Sequence, residues 1–294
     1  MEHSGRSVRR GLSGALELLM PMDSSKEVYV SVVVPTYNSA ESLPLCLKAV
    51  RRQKYPYKEV LVVDNYSKDE TRRIAENFGA NVILHRGTQA AARNVGLAHS
   101  KGSYVLFLDS DQQLNGGVVE NCVLTCSTCG VEAVKIPEVF VGLNFWGKCS
   151  VLWKNRMVKA CGPQGGIPRF YKRRTLLQLL AFNDKLRWWE DLELYQRLKL
   201  VGLREAWCRG HAIHYENDSL QNMIRKYLSY GQSIVAFKRS PAKAPYASTF
   251  RLTLSTMAQT LRDPGKSLSV FLGCLFLVTV KSLSAALGFL SRLK

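Results

Sequence analysis

The sequence predicts an α/β fold with a mostly parallel central sheet flanked by helices, on three observations. Over residues 28–108, four short apolar runs alternate with three stretches of helical spacing, the order from which right-handed crossovers build a parallel sheet. The runs are apolar almost throughout, as strands buried on both faces are. Polar and charged residues gather just past the first, second and fourth runs, at the edge where open α/β sheets bind ligands.

Taken in order, residues 28–34 (VYVSVVV) form a β-branched run that Pro35 ends, so a strand and then a loop are expected. Residues 40–53 carry Leu43, Leu47 and Val50 at helical spacing, with Pro44 tolerable in a first turn. Residues 59–63 are the second strand, ending at Asp64. Residues 67–78 read as a helix with Ser67 as N-cap and Gly79 as stop. Residues 81–84 are a third strand, 88–99 an Ala-rich helix, and 104–108 the fourth strand, behind Gly102.

The second half is less regular. Residues 131–136 form a strand candidate, 146–159 a helix candidate, and GPQGG at 162–166 a loop leading to Phe170-Tyr171. Trp188-Trp189-Glu190-Asp191 opens a helix that runs through Val201. Acidic residues in a first turn favour the helix dipole, but two bulky aromatics just ahead also suit a carboxylate in a partly dry cleft. Residues 206–207 and 212–215 read as short strands around Gly210-His211. Residues 219–230 read as a helix with Gln221 and Arg225 one turn apart.

Residues 241–264 mix basic residues with Tyr246, Phe250, Leu252, Leu254 and Met257, the composition of a helix lying at an interface. Residues 268–290 are apolar apart from Lys281 and small hydroxyl residues. At ~1.5 Å per residue they reach across a ~30 Å hydrocarbon core. A spanning helix is the preferred reading; an interfacial hairpin or monotopic helix comes second, and a packing helix in an oligomer last. Lys281 near the centre costs about 3 kcal/mol, which a run this apolar offsets.

The chain has 294 residues and a net charge of +18, from 41 Lys+Arg against 23 Asp+Glu. That balance points to a polyanionic partner. The charge is spread along the chain without zinc-finger spacing or an RNA-binding aromatic signature, which favours phosphate ligands or a membrane surface over nucleic acid. Cys122, Cys126 and Cys129 share a helix face, but no second CxxC or HxxxH supplies a fourth zinc ligand. Buried thiols are the better reading, and the other five cysteines show no disulfide framework, consistent with a reducing cytosol. Residues 1–27 read as a basic, poorly structured tail; the apolar stretch at 16–20 is too short for a cleaved signal peptide.

The stretch VLFLDSDQQL concentrates the chemistry. Asp109 and Asp111 follow a buried run, and two carboxylates so placed repel unless a cation lies between them. Mg²⁺ or a similar ion bound through one or two carboxylates plus substrate phosphates would answer that. A solvated turn is the alternative, since Asp-Ser-Asp is good turn chemistry.

Four stretches in this order, VSVVVPTYNSAESL, VLVVDNYSKDET, AARNVGLAHSKGSYVLFLDSD and WWEDLEL, resemble inverting, family-2 nucleotide-sugar glycosyltransferases of the GT-A fold, over residues 28–230 or so. The likeness is to small membrane-attached members with a minimal cellulose-synthase-like organisation, including archaeal types that serve N-glycan assembly. Gln221 and Arg225 sit where that group has its QxxRW, with Lys226 in place of the tryptophan, which argues against polymer synthesis.

The resemblance implies a role for each matching position. Pro35, Thr36, Tyr37 and Asn38 would line the base and ribose pocket, with Asp64 bonded to base or ribose. Arg93 and Asn94 would help to hold nucleotide and sugar. Asp109 would contact ribose, sugar or metal; Asp111 would hold Mg²⁺ or Mn²⁺, with His214 as a late metal ligand. Gln221 and Arg225 would face the leaving nucleoside diphosphate. Asp191 would be the general base, and Glu190 would orient it or the acceptor.

The implied organisation is a tail (1–27), a GT-A domain (28–216, with a nucleotide-sugar half at 28–118 and an acceptor half at 119–216), interfacial helices (217–264) and a membrane segment (265–294). The expected activity moves a hexose, with mannose from GDP-mannose the best guess, onto a polyprenyl-linked acceptor at the cytoplasmic side of the cell membrane. The expected partners are a nucleoside-diphosphate sugar, a lipid-linked acceptor and membrane lipids, with no nucleic acid. A processive polysaccharide synthase and a non-enzymatic basic binder on a transferase-like scaffold are the rival readings.

Overall fold

The computed structural model describes residues 28–161, 166–179, 181–217, 219–238, 255–262 and 267–292, with backbone only for 235–238. The predicted N-terminal tail, most of the GPQGG loop and most of the 241–264 stretch lie outside the described residues.

A seven-stranded sheet carries the fold. Its first half is β1 (Val30–Thr36), β2 (Lys58–Asp64), β3 (Asn81–Leu84) and β4 (Tyr104–Phe107), side by side in the order β3-β2-β1-β4 and parallel throughout. Every residue of β1 is buried, as the unbroken VSVVVPT run requires of a central strand covered on both faces. The crossover helices are α1 (Leu43–Arg51), α2 (Thr71–Asn77) and α3 (Gln89–His99). Pro44 sits in the first turn of α1. Gly96 lets α3 lie directly on β1, because a Cβ there would fall 2.3 Å from Val33 Cγ1.

The expected alternation of four strands and three helices is therefore present, with one shift at a strand and two at helix starts. Pro35 does not end the first strand: β1 spans Val30–Thr36, with Pro35 paired to Val63 and Thr36 to Asp64. The first helix begins at Leu43 rather than residue 40. Ser67 does not cap a helix; its backbone N–H and hydroxyl donate to Asp64, and α2 starts only at Thr71. Thr88 does cap α3, its Oγ1 accepting from Ala91 N at 3.1 Å.

The second half was only partly readable. After β4 come β5 (Gln112–Leu114), α4 (Val118–Cys129), β6 (Ala133–Lys135), β7 (Glu138–Gly142), α5 (Phe145–Cys161), β8 (Phe170–Lys172), α6 (Arg173–Gln178), α7 (Glu190–Leu200), β9 (Glu205–Trp207) and β10 (Ala212–Glu216). Strand β8 inserts antiparallel between β4 and β6, with Phe170 opposite Leu106, and β9 closes the edge. A second small sheet, ordered β5-β10-β7, sits beyond the end of β4; in it β10 runs antiparallel to β5 and parallel to β7. All eight cysteines are free thiols; Cys122 and Cys126 are buried on α4 while Cys129 is exposed, in line with the packing reading.

Helix α8 (Leu220–Lys238), the helix at 255–262 (α9) and α10 (Leu268–Leu290) follow. One face of α10 packs on α5 and α8. Cys149, Met223, Cys274 and Leu277 form a small core there. Gly288 meets α8 so closely that a Cβ would lie 2.0 Å from Leu228 O, and Gly231 is held as tightly against Ala285. Lys281 is accommodated in this seam: its Nζ donates to Ser150 Oγ at 3.0 Å and lies 5.1 Å from the Tyr227 ring centre. The opposite face of α10 exposes Leu268, Leu272, Phe276, Leu283, Leu287 and Leu290. At 3.6 residues per turn these six fall within about 100° of arc.

Candidate active site

The carboxyl edge of β1, β2 and β4 gathers the predicted residues. Leu108 N donates to Val33 O, which carries the sheet one residue past β4, and the chain then turns: Gln112 N donates to Asp109 O at 3.0 Å. Asp109-Ser110-Asp111 is thus a turn at the strand end, as its Asp-Ser-Asp chemistry allows. Turn and strand β5 together aim the carboxylates into the crevice. The antiparallel register places His214 opposite Gln112, and Tyr215 N donates to Asp111 O at 3.1 Å.

Seven ionisable side chains then form one continuous network. Asp109 Oδ1 accepts from Gln89 Nε2 at 2.8 Å and from Arg93 Nη2 at 2.9 Å, while its Oδ2 accepts from Arg169 Nη1 at 3.1 Å. Arg93 Nη1 donates to Glu190 Oε1 at 2.8 Å. Arg169 Nε pairs with Glu138, whose other oxygen lies 3.4 Å from His214 Nδ1. His214 Nε2 faces Asp111 Oδ2 at 3.3 Å.

Electrostatics follow from this wiring. Burial alone would raise the pKa of Asp109, but Arg169 and then Arg93 hold it well below the ordinary carboxylate range. Glu138, likewise buried, is brought down to about 2 by Arg169 and His214. Burial pushes Glu190 up, with Arg93 opposing and Asp191 adding to the rise. Asp191 itself is half-buried and takes part in no ion pair among the described residues. It is close enough to Arg93 and Arg169 to raise both their pKa values. A carboxylate that is half-buried, near two cations and bonded among the described residues only to the Leu192 N–H has lone pairs left to accept a proton.

The turn that leads into Glu190 and Asp191 has an unusual backbone. Trp189 caps α7 at φ 61°, a left-handed conformation costly for a bulky residue. Trp188 stacks on Trp189 at 4.0 Å and on Tyr230 of α8 at 5.0 Å, and Arg187 N donates to Ser233 Oγ. That packing fixes the turn that presents Glu190 and Asp191.

In the loops after β1 and β2, Asn38 (φ 48°) and Tyr66 (φ 55°) are also left-handed. Asn38 Oδ1 accepts from Lys68 N, and Asn38 N donates to Ser67 Oγ, so the loops after β1 and β2 are stitched together. Tyr37 (59% exposed) and Tyr66 face solvent, with the Arg86 guanidinium 4.6 Å from the Tyr66 ring centre.

Several expected roles change on this geometry. Asp64 is fully buried and accepts from Thr36 Oγ1, Ser67 Oγ and Ser67 N, so it braces the pocket floor rather than opening onto a base. Asp109 accepts from Gln89, Arg93 and Arg169, so two guanidinium groups already answer the charge that a metal was expected to answer. Arg93 is 3% exposed and pairs with two carboxylates, so it is no surface arginine. Asn94 uses both ends of its amide on the Phe182 backbone and does not reach toward a nucleotide. Gln221 and Arg225 are exposed on α8 and make no hydrogen bond or ion pair among the described residues. Three residues also separate them, one more than QxxRW allows. His211 stays at the far end of β5, bonded through its backbone to Asn115.

Sequence reasoning missed Gln89, Gln112, Glu138 and Arg169. Arg169 gave no signal because it precedes a three-residue antiparallel strand; pairing with β4 brings it to the edge, where its carbonyl accepts from Phe107 N. Glu138 stands beside His214 because Ala212, two residues before the histidine, pairs with it across β7 and β10.

A parallel sheet with carboxylates at its switch-point edge and a second small sheet behind them is the arrangement of GT-A glycosyltransferases. The solved structures agree on the fold. A mannosyltransferase from Pyrobaculum calidifontis, in complex with GDP-Man and Mn²⁺, superimposes with a TM-score of 0.53 at 21% identity over 97% of this chain and 80% of its own. Staphylococcus aureus TarS (residues 1–349, with UDP) gives 0.53 at 17% identity over 90% of each chain. Residues 31–183, just over half of the chain, match glycosyl transferase family 2, and the chain belongs to that family. Among curated relatives it is 41% identical over 115 residues to glycosyltransferase AglE of Haloferax volcanii, covering 36% of this chain and 38% of AglE. It is 25% identical over 191 residues to the minor teichoic acid biosynthesis protein GgaA of Bacillus subtilis, covering 58% of this chain and 43% of GgaA. The matches thus span less than half the length of either relative.

Proposed function

We propose that this chain is an inverting, metal-dependent hexosyltransferase that moves a sugar from a nucleoside diphosphate onto a lipid-linked acceptor at a membrane surface. The observation that carries the reading is a carboxylate, Asp191, with no ion pair among the described residues, beside Arg93 and Arg169 of the network that includes the Asp111–His214 pair. On this reading Asp191 would serve as base and the Asp111–His214 pair as the cation-binding end of one family-2 site.

The donor set fits a divalent ion. Asp111 Oδ2 and His214 Nε2 converge, and the Asp111 side chain is 42% exposed to the crevice. Among the described residues no cluster of three or more His, Cys, Asp or Glu could enclose an ion, so the remaining positions would fall to diphosphate oxygens and water. When bound, a cation there supplies charge to offset the leaving diphosphate. The oxygen donors of such a set, carboxylate, water and phosphate, suit Mg²⁺ or Mn²⁺.

In the proposed chemistry, Tyr37, Asn38 and Tyr66 border the base and ribose, and Thr36, Ser67 and buried Asp64 keep their loops in register. Asp109, held by Arg93 and Arg169, contacts ribose or sugar without carrying the metal. Asp191 accepts the acceptor hydroxyl proton as oxygen attacks the anomeric carbon from the face opposite the diphosphate, inverting its configuration. Glu190, bonded to Arg93, holds the start of α7. If the acceptor is an ionised lipid phosphate, Asp191 contributes less. Gln221 and Arg225 remain candidates for the diphosphate only if α8 moves toward it.

Mannose from GDP-mannose is the first donor to test, because the Pyrobaculum mannosyltransferase complex holds GDP-Man; UDP-GlcNAc is second, because TarS has been solved with it. Purified protein in detergent, given a nucleotide-sugar panel and membrane lipid extract, should release nucleoside diphosphate only with Mn²⁺ or Mg²⁺ and form a glycolipid visible by mass analysis. Asp111→Asn should abolish that turnover. Full turnover in EDTA, or in Asp111→Asn, would refute the metal assignment.

For the membrane, α10 is long and apolar enough to span. Yet it packs along its length on α5 and α8, and α5 carries Lys148, Lys154, Arg156 and Lys159, which would be costly in hydrocarbon. We therefore favour in-plane attachment, with the Leu268–Leu290 stripe inserted in one leaflet. Single cysteines placed at Ser267 and Ser291 in a background lacking native thiols should both react with an impermeant maleimide from the same side of sealed vesicles. Labelling from opposite sides would establish a spanning helix instead.

A further inference from the structure

We infer that Glu138 and Arg169 are positioning residues that fix His214 as a metal ligand, a role that rests on the cation site proposed above. A neutral imidazole carries one N–H, and the group at one ring nitrogen decides which lone pair the other offers. Glu138 Oε2 stands 3.4 Å from His214 Nδ1, on the side of the ring away from Asp111. A carboxylate there holds the proton on Nδ1 and leaves the Nε2 lone pair facing Asp111 Oδ2.

Gln112 competes for the same atom. Its Oε1 accepts from Asp109 N at 3.0 Å, which turns its Nε2 toward His214 Nδ1 at 3.3 Å. An amide N–H donated to Nδ1 would favour the opposite tautomer, with the proton on Nε2 where the cation must bind. A charge-assisted bond to carboxylate is roughly twice as strong as a neutral one, so Glu138 decides the contest.

Glu138 is not itself placed as a ligand. Its Oε1 is held by Arg169 Nε, and the same guanidinium reaches Asp109 Oδ2 through Nη1. Arg169 thereby keeps two carboxylates, one from the Asp-Ser-Asp turn and one from β7, at fixed separation despite their repulsion. It ties the ribose-side carboxylate to the orientation of the metal-side histidine.

The test is Mn²⁺ binding to the full-length detergent-solubilised protein, read from the EPR signal of free Mn²⁺, alone and with UDP or GDP. Glu138→Gln keeps the shape and removes the charge. Its Mn²⁺ affinity should fall about tenfold or more, the range seen when a ligand-orienting partner is lost. The Mn²⁺ concentration for half-maximal turnover should rise by the same factor, while turnover at saturating Mn²⁺ recovers to within about threefold of wild type, which general damage to the fold would not allow. Arg169→Lys should show a smaller loss in the same direction. If Glu138→Gln does not fold, Glu138→Asp serves, since retracting the carboxylate by one methylene should also weaken Mn²⁺. Affinity within twofold of wild type in a folded Glu138 variant overturns the inference and leaves the metal reading intact. Wild-type protein that binds no Mn²⁺ with either nucleotide overturns both.

Discussion

Arg93→Met is expected to lower the free energy of unfolding by about 3–5 kcal/mol, the cost of removing one partner from a buried ion pair. Arg93 bridges Asp109 and Glu190, and all three side chains are largely buried. Without it, Glu190 has no cation in contact among the described residues, and Asp109 keeps only Arg169. Methionine fills the space but cannot answer either charge. Denaturant unfolding followed by tryptophan fluorescence should show a lower midpoint with an unchanged slope. Arg93→Lys should recover little, because one ammonium cannot span two carboxylates as a planar guanidinium does. A loss below about 1 kcal/mol in Arg93→Met would mean that the network relaxes or hydrates, and that its charges are not buried in solution.

Asp191→Asn is expected to reduce turnover onto a hydroxyl acceptor by about 10²–10⁴-fold while leaving nucleotide binding within about twofold. Asparagine keeps the size and loses the basic oxygen. Fluorescence or calorimetric titration with nucleoside diphosphate separates binding from chemistry, and product release measured at saturating donor gives the rate. Glu190→Gln should behave differently, acting through Arg93 on stability as well as on rate. Wild-type turnover in Asp191→Asn onto a hydroxyl acceptor would remove Asp191 as the base. A modest loss confined to a lipid-phosphate acceptor would instead identify that acceptor as already ionised.

The contrast between the two halves of the chain explains what could be read in advance. Residues 30–108 build parallel strands joined by crossover helices, so each element needs a long apolar run or a full helical period, and both leave marks on a sequence. The edge residues Thr36, Asp64 and Asp109 could be placed because a strand end is itself a local feature. Their partners could not. Asp64 was expected to bond base or ribose, yet its oxygens accept from Thr36 and Ser67. Asp109 was expected near a metal, yet Arg169 reaches it from sixty residues away through a three-residue strand with no periodicity to detect.

By itself the sequence determined the α/β class, the carboxyl-edge crevice, the Asp109-Ser110-Asp111 turn, the Glu190-Asp191 pair and the apolar segment at 268–290. Each of these is set by neighbours in the chain, through strand burial, turn chemistry or helical spacing. Tertiary structure alone decided which carboxylate is free. Antiparallel insertion of β8 and the β5-β10-β7 pairing bring Arg169, Glu138 and His214 onto one network, so that Asp109 is neutralised, Asp111 is left facing an imidazole nitrogen, and Asp191 has no ion pair among the described residues. Which charges meet depends on strand register between distant segments, and register is fixed by packing rather than by local pattern.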